Sequence, residues 1–230
     1  MKNQNPIGLE TLETVPLHEQ VYQSLNHALM SGQIAPGRKL TSRKLAQELG
    51  TSDMPVRSAL MRLQSLRALE QLPNGSMVLP KMTLDKFNDV MNTRLICEPA
   101  ATALAASHLS KKDLRSIRKE AVALTQAAEN QDIDAYLLHN HAFKFSIYRA
   151  CGSETLLFLI ETLWLQVGPF LRQFSGQFDG ALRGILDLDY HDEIVACLEA
   201  SDSEGAAKLL RQDIADGHAF LLKHGVFAES

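Results

Sequence analysis

Ser52 and Arg57 lie close together behind Gly50, in the run Gly50-Thr51-Ser52-Asp53-Met54-Pro55-Val56-Arg57-Ser58-Ala59-Leu60. A hydroxyl and a guanidinium near the start of a helix are groups that grip phosphate oxygens and the edge of guanine, so this spacing points to nucleic acid. Asp53, between them, would either accept from a cytosine amino group or weaken contact with phosphates. Flanking residues must position these groups. Leu45, Ala46 and Leu49 give residues 43–49 a small apolar helix face, and Gly50 stands where a helix end favours glycine. Ser52 is expected to cap the next helix, with Pro55 tolerated in its first turn and Val56, Leu60 and Leu63 on its buried face.

Two short helices joined by such a turn occur in ordinary bundles as well as in major-groove readers. The segment after Leu69 favours the second reading. Pro73-Asn74-Gly75 lies between short apolar runs and predicts a hairpin, which behind two such helices forms a wing.

The 230 residues allow one or two domains, and 45% hydrophobic content suffices for a packed core. No apolar run approaches a membrane span and the N-terminus lacks a signal-peptide pattern, which points to the cytoplasm. Cys97, Cys151 and Cys197 are few, odd in number and set in apolar helical patterns, so they are expected to be buried thiols, not disulfides or metal ligands. Charge divides the chain. Residues 1–83 hold nine Lys/Arg against six Asp/Glu, a net +3, whereas the remaining 14 Lys/Arg and 21 Asp/Glu leave −7. A mildly basic head on an acidic body suits a module that touches phosphates, although ordinary variation along a chain would produce a split this small.

From Met82 onward the pattern is helical. One long helix is predicted from Leu84 to His108, and Ser110 caps a second that runs to about Asn130. A third opens at Asp132 or Asp134 and ends at Cys151-Gly152. A fourth starts at Ser153, with a kink expected at Gly168-Pro169. After the break "SGQFDGALRG", two more helices cover about Leu186 to Ala200 and Ser203 to Lys223. The fold class is mainly α: an N-terminal winged helix-turn-helix with a small hairpin, then an all-α bundle. The expected bounds are a tail over 1–15, the winged head over 16–80 and the bundle over 84–224, with a short linker at Pro80 to Thr83.

The head carries a family resemblance. "LHEQVYQSLNHALMSGQIAPGRKLTSRKLAQELG", "TSDMPVRSALMRLQ" and "PNGSMV" resemble the DNA-binding domain of GntR-type transcriptional regulators, several fixed spacings agreeing together. That family usually has Arg where Asp53 stands and Gly where Arg67 stands. The resemblance implies that Arg38, Arg43, Lys44, Ser52, Arg57 and Gly75 form the DNA-binding set. It also implies a dimer on a palindromic double-stranded operator, with the bundle as the dimer surface.

The second half, through Arg94-x-x-x-Glu98, "PAATALAA", "NHAFKFSIYRACGS" and "HDEIVACLEASDSEGAAKLL", resembles the helical effector domain of the FadR subfamily, the FCD domain. That domain often holds a metal on one Asp and three His, and binds a small organic acid or a fatty acyl ligand. Here its ligand positions fall on Asn140, Lys144, His191 and Asp213, so two usual ligands are replaced by Lys144 and Asp213. A Lys144–Asp213 ion pair is expected to fill the metal's place. No cofactor is expected, a transition metal being the open alternative. Asn140 and Lys144 share one helix face, and antiparallel packing puts His191 level with Asp213. With Arg94 and Arg172, these four make the expected effector site, for a carboxylate above a sugar or an amine. Polar residues on solvated faces, or helix–helix salt bridges at Arg94 and Arg172, would have the same composition. His139, His141, His218 and His224 are expected on the surface. An enzyme built on the bundle lacks any nucleophile elbow, phosphate loop or His-Glu-x-x-His pattern. A nonspecific architectural DNA binder would gain nothing from the acidic bundle.

Overall fold

The computed structural model describes residues 15–34, 38–172 and 190–229. The head comprises α1 (Leu17–Met30), α2 (Ser42–Glu48), α3 (Asp53–Ser65) and a hairpin of β1 (Glu70–Gln71) and β2 (Met77–Val78). Val21, Tyr22, Leu25 and Leu29 form one buried stripe of α1, against which α3 packs through Val56, Leu60 and Leu63. The Thr41 hydroxyl caps α2 by accepting from the Lys44 amide, and Gly50, at φ 63°, ends the α2 region in the left-handed conformation. Ser52 occupies the N-cap position of α3 with extended backbone, but its hydroxyl makes no capping bond, which corrects the expectation. The hairpin pairs Glu70 with Val78 and Gln71 with Met77, and Leu40 bridges to Met77, so the α1–α2 connection leans on the wing. Arg67 lies at φ 58°, a conformation costing a side chain about 1–2 kcal/mol, so the glycine usual in the family there has a backbone reason.

The bundle comprises α4 (Leu84–Ala105), α5 (Lys111–Glu129), α6 (Ile133–Tyr148) with a 3₁₀ turn at Arg149–Cys151, α7 (Glu154–Leu171), α8 (His191–Glu199) and α9 (Ser203–His224). The fold is mainly α, as the periodicity predicted. Side-chain caps start five of these helices, from Thr83, Ser110, Asp132, Ser153 and Asp202. Helix α4 packs against α9 and α7, and α5 against α6 and α8. Trp164, Tyr148, Phe87, Phe143 and Phe145 fill the centre, each worth about 1.5–3 kcal/mol of burial.

Several expectations are revised. Helix α4 stops at Ala105, short of His108, and α8 starts at His191, residues 186–189 and the break over 175–184 lying outside the described residues. Helix α7 runs through Pro169, as the sequence predicts, and Gly168 adds a role not expected there: a Cβ at this position would collide with the Met30 carbonyl oxygen at the end of α1. Head and bundle therefore touch, α1 against α7. Cys97 and Cys151 are buried, but Cys197 is only half-buried. Helix α7 is long and apolar enough to cross a membrane, with a mean hydropathy of 1.2, yet its apolar residues Trp164, Leu165, Val167 and Phe170 are buried in the core. The chain then does something its pattern did not announce. After α9 it returns to the linker, where the Ala228 amide donates to the Met82 carbonyl at 2.9 Å and Thr83 and Ala228 form a parallel bridge. Phe227 seats this tail between Phe87 and Phe170.

Candidate nucleic-acid interface and ligand cavity

Helix α3 turns its apolar residues onto α1 and leaves Asp53, Met54, Arg57, Ser58 and Met61 in solvent. Arg43 and Lys44 are exposed at the start of α2, Ser52 before α3 and Gly75 at the wing tip, where φ is 82°. Among the described residues Arg43, Lys44 and Arg57 join no ion pair. Arg38 differs, because it bridges to Glu48 at 3.1 Å, both side chains exposed. Such a surface pair is worth about 0–1 kcal/mol and exchanges readily for a phosphate. Met54, 70% exposed beside this face, was missed in the sequence because methionine carries no polar signature. Its place in the first turn of α3, between Ser52 and Arg57, is the signal, because a lone exposed apolar side chain is common on protein surfaces.

In the bundle, α4, α6 and α9 enclose a cavity of about 110 Å³. Arg94, Tyr136, Asn140, Lys144 and Asp213 provide its polar lining, and Ile133, Leu137, Leu171, Ile214 and Leu221 much of its apolar wall. Gly217 also lines it, and a Cβ there would meet no atom of another described residue within 4 Å, the helix's own backbone aside. A glycine inside a helix costs about 1 kcal/mol against alanine, so one that relieves no clash keeps space open.

The Lys144 ammonium donates to the Asp213 carboxylate, with both side chains nearly buried, so the expected ion pair is present. Burial alone would raise the Asp213 carboxyl, but the adjacent ammonium holds it below the usual carboxylate range. His191 lies behind this pair, outside the cavity lining, edge-on to Phe143 at 4.5 Å. Burial pushes its ring down to about 4, so it is neutral at pH 7. Arg94 is closed by Glu98, one turn along α4. Glu98, fully buried, also accepts from the Tyr148 hydroxyl and from the Trp164 indole at 3.0 Å. Burial opposes the Arg94 charge, and Glu98 more than offsets it. Arg172 does not reach the cavity: its guanidinium donates to the Gly32 carbonyl at 3.2 Å and to Asp134. The structure thus brings Arg94, Asn140, Lys144 and Asp213 around one space, sets His191 behind it and leaves Arg172 at the head–bundle seam.

These residues do not fit a divalent metal. An ammonium stands where a ligand would be, a guanidinium lies close by, and Asn140 offers only a neutral amide. Among the described residues no group of three or more His, Cys, Asp or Glu is placed to hold a metal ion. The histidines set aside as surface residues need revision too. His141 is 2% exposed, packed against Phe145 and Trp164, and among the described residues neither ring nitrogen has a hydrogen-bond partner. Burial pushes it down to about 3. His139 pairs with Glu120 at 2.8 Å, and half-buried His218 meets Asn88 at 2.8 Å. His224 alone of the four is exposed.

Comparison with known proteins gives this arrangement its relatives. Residues 17–79 match the bacterial regulatory proteins of the gntR family, and residues 89–216 match the FCD domain. The HTH-type transcriptional regulator McbR of Escherichia coli K12 is 33% identical over 213 residues, covering 90% of this chain and 96% of its own. The HTH-type transcriptional repressor GlaR of the same organism is 22% identical over 204 residues, covering 84% and 90%. Among solved structures, E. coli McbR/YncC superposes with a TM-score of 0.83 at 32% identity, covering 91% of this chain and 99% of its own. A GntR structure from Rhodococcus sp. RHA1, with a TM-score of 0.68 at 21% identity and coverage of 90% and 97%, shares the fold. These relatives are transcriptional regulators, not enzymes, which sets aside the metal-dependent enzyme. The chain belongs to the GntR family of bacterial transcriptional regulators, and its helical half is an FCD domain.

Proposed function

We propose that this chain is a cytoplasmic, homodimeric regulator of the FadR type that binds a palindromic operator through residues 16–80. Its operator affinity is set by a small carboxylate-bearing metabolite held within residues 84–224. On the head, Arg57 and Arg43 read base edges, Lys44, Ser52 and Arg38 take phosphates, and Gly75 lets the wing approach the minor groove. The uncommitted Ser52 hydroxyl and the exposed faces of α2 and α3 support this assignment. Exposed Met54 suits a thymine methyl. One head reads only a few base pairs, so useful specificity calls for two. Ile96 and Leu104 on one face of α4, with Phe158 and Leu159 on α7, are exposed apolar residues suited to a dimer contact.

A single observation carries the coupling. Helix α9 lines the cavity through Asp213 and Gly217, and the chain that leaves its end pairs directly with the head–bundle linker at Met82–Thr83. A ligand that shifts α9 therefore shifts the linker, which is how one site biases another. Ala228→Pro removes the amide that bonds Met82 without touching the cavity. Measured by fluorescence anisotropy on operator DNA, the variant should bind ligand like the parent but show a smaller change of operator affinity on ligand addition. An unchanged ligand effect would reject this coupling route.

A further inference from the structure

We infer that the ligand of the α4–α6–α9 cavity is a small zwitterion, an α-amino acid with a short apolar side chain. This rests on the reading of the cavity as the effector site and narrows its ligand class. The argument is one of charge balance. Two cations, Arg94 and Lys144, and two anions, Glu98 and the nearly buried Asp213, lie on or beside the cavity and pair off to zero. His191 is neutral, and burial keeps the Tyr136 phenol protonated. Of the four cations expected to favour an acid, Arg94 and Lys144 are neutralised, His191 is uncharged and Arg172 faces elsewhere.

A plain carboxylate would have to part Lys144 from Asp213, leaving the Asp213 carboxylate unpaired beside its own charge. A plain amine meets the same conflict with Lys144 and Arg94. A zwitterion opens the pair without cost in net charge, its carboxylate facing Lys144 and its ammonium facing Asp213. Shape agrees. Along α6 the lining runs from Lys144 and Asn140 back to Leu137 and Ile133, and along α9 from Asp213 on to Gly217 and Leu221. Because Lys144 and Asp213 meet, both helices put their charged residues at one end of the space and their apolar residues at the other. The volume of about 110 Å³ is below the roughly 150 Å³ that accommodates benzene, a six-carbon molecule, so the apolar end admits a side chain of about three or four carbons, with the amino and carboxylate groups seated where Lys144 and Asp213 part.

The test is calorimetric titration of the full-length protein with L-valine and L-leucine, their deaminated acids 3-methylbutanoate and 4-methylpentanoate, and their decarboxylated amines. Two variants accompany it. Gly217→Leu fills the cavity and improves helix propensity, so its fold is retained. Asp213→Asn removes the anion. One amino acid should bind the parent at least about tenfold more tightly than either of its fragments, and should fail to bind Gly217→Leu. Asp213→Asn should reverse the preference towards the acid. An acid that binds the parent as tightly as its amino acid, and is blocked by Gly217→Leu, overturns the zwitterion while the cavity keeps its ligand role. Binding that survives Gly217→Leu places the ligand elsewhere and overturns both readings. Absence of binding by every compound at millimolar concentration overturns the zwitterion inference.

Discussion

In the head, Arg43, Lys44 and Arg57 stand in solvent and join no ion pair among the described residues, whereas in the bundle Arg94 and Lys144 are buried and each is closed by a carboxylate. The residue types are alike and the surroundings are opposite. An exposed cation keeps its water until a phosphate displaces it, so it can wait unpaired at little cost. A buried cation loses that water on folding and must meet an anion within the protein. The head therefore carries uncompensated charge, which suits a polyanion, and the cavity carries compensated charge, which suits a ligand that disturbs the balance least. Arg38, exposed but paired with Glu48, stands between the two cases.

The comparison breaks most readily at Glu98. Glu98→Gln leaves Arg94 buried without its anion and weakens the bonds from Tyr148 and Trp164, so urea unfolding should show a loss of about 3–5 kcal/mol. A loss below 1 kcal/mol would mean that the buried charges are not coupled as described.

Acid should act next. His141 and His191 are held down to about 3 and about 4 by burial, against an unfolded value near 6.5. Between those limits the unfolded chain binds more protons than the folded one, so stability is complete above about pH 6.5 and falls as the pH drops. The slope approaches roughly 1.4 kcal/mol per pH unit for each group. Asp213, held low by Lys144, adds its own loss only below about pH 4, near its unfolded value. A melting temperature equal at pH 7 and pH 5 would contradict the burial of both rings.

For the exposed cations, Arg57→Ala should cost about 1–3 kcal/mol of operator binding and relax specificity at one position, with the melting temperature unchanged. Lys44→Ala should weaken all DNA sequences alike and lower the salt slope by about 1. Anisotropy titrations at several salt concentrations separate the two effects. A smaller gain is expected at His141, whose ring nitrogens are buried between Phe145 and Trp164 and find no partner among the described residues. His141→Phe should raise stability by about 1 kcal/mol and remove its part of the acid slope.

The smallest expected effect is that of a chelator, which should leave the melting temperature unchanged, elemental analysis finding substoichiometric zinc, nickel or manganese. Lys144→His combined with Asp213→His should create metal affinity around His191. One tightly held transition metal per unmodified chain would overturn the charge-balance reading.

Much of this architecture was written locally. The caps at Thr41, Ser110 and Ser153, the glycine at Gly50, the Pro-Asn-Gly turn and the helical periods after Met82 are set within a few residues, so the elements and their order follow from the sequence. The Lys144–Asp213 pair was legible too, through helix spacing and the family resemblance taken together. Tertiary structure decided the rest, because burial depends on which faces meet. It sent Arg172 to the head–bundle seam, buried His141 where a surface residue was expected, and gave Gly168 to the approach of α1. It also closed Arg94 with Glu98, and returned the C-terminal tail to Met82. Each of these joins segments whose partner no local pattern specifies, or turns on how much water a charge retains after packing, which is a property of the folded surroundings and not of the residue.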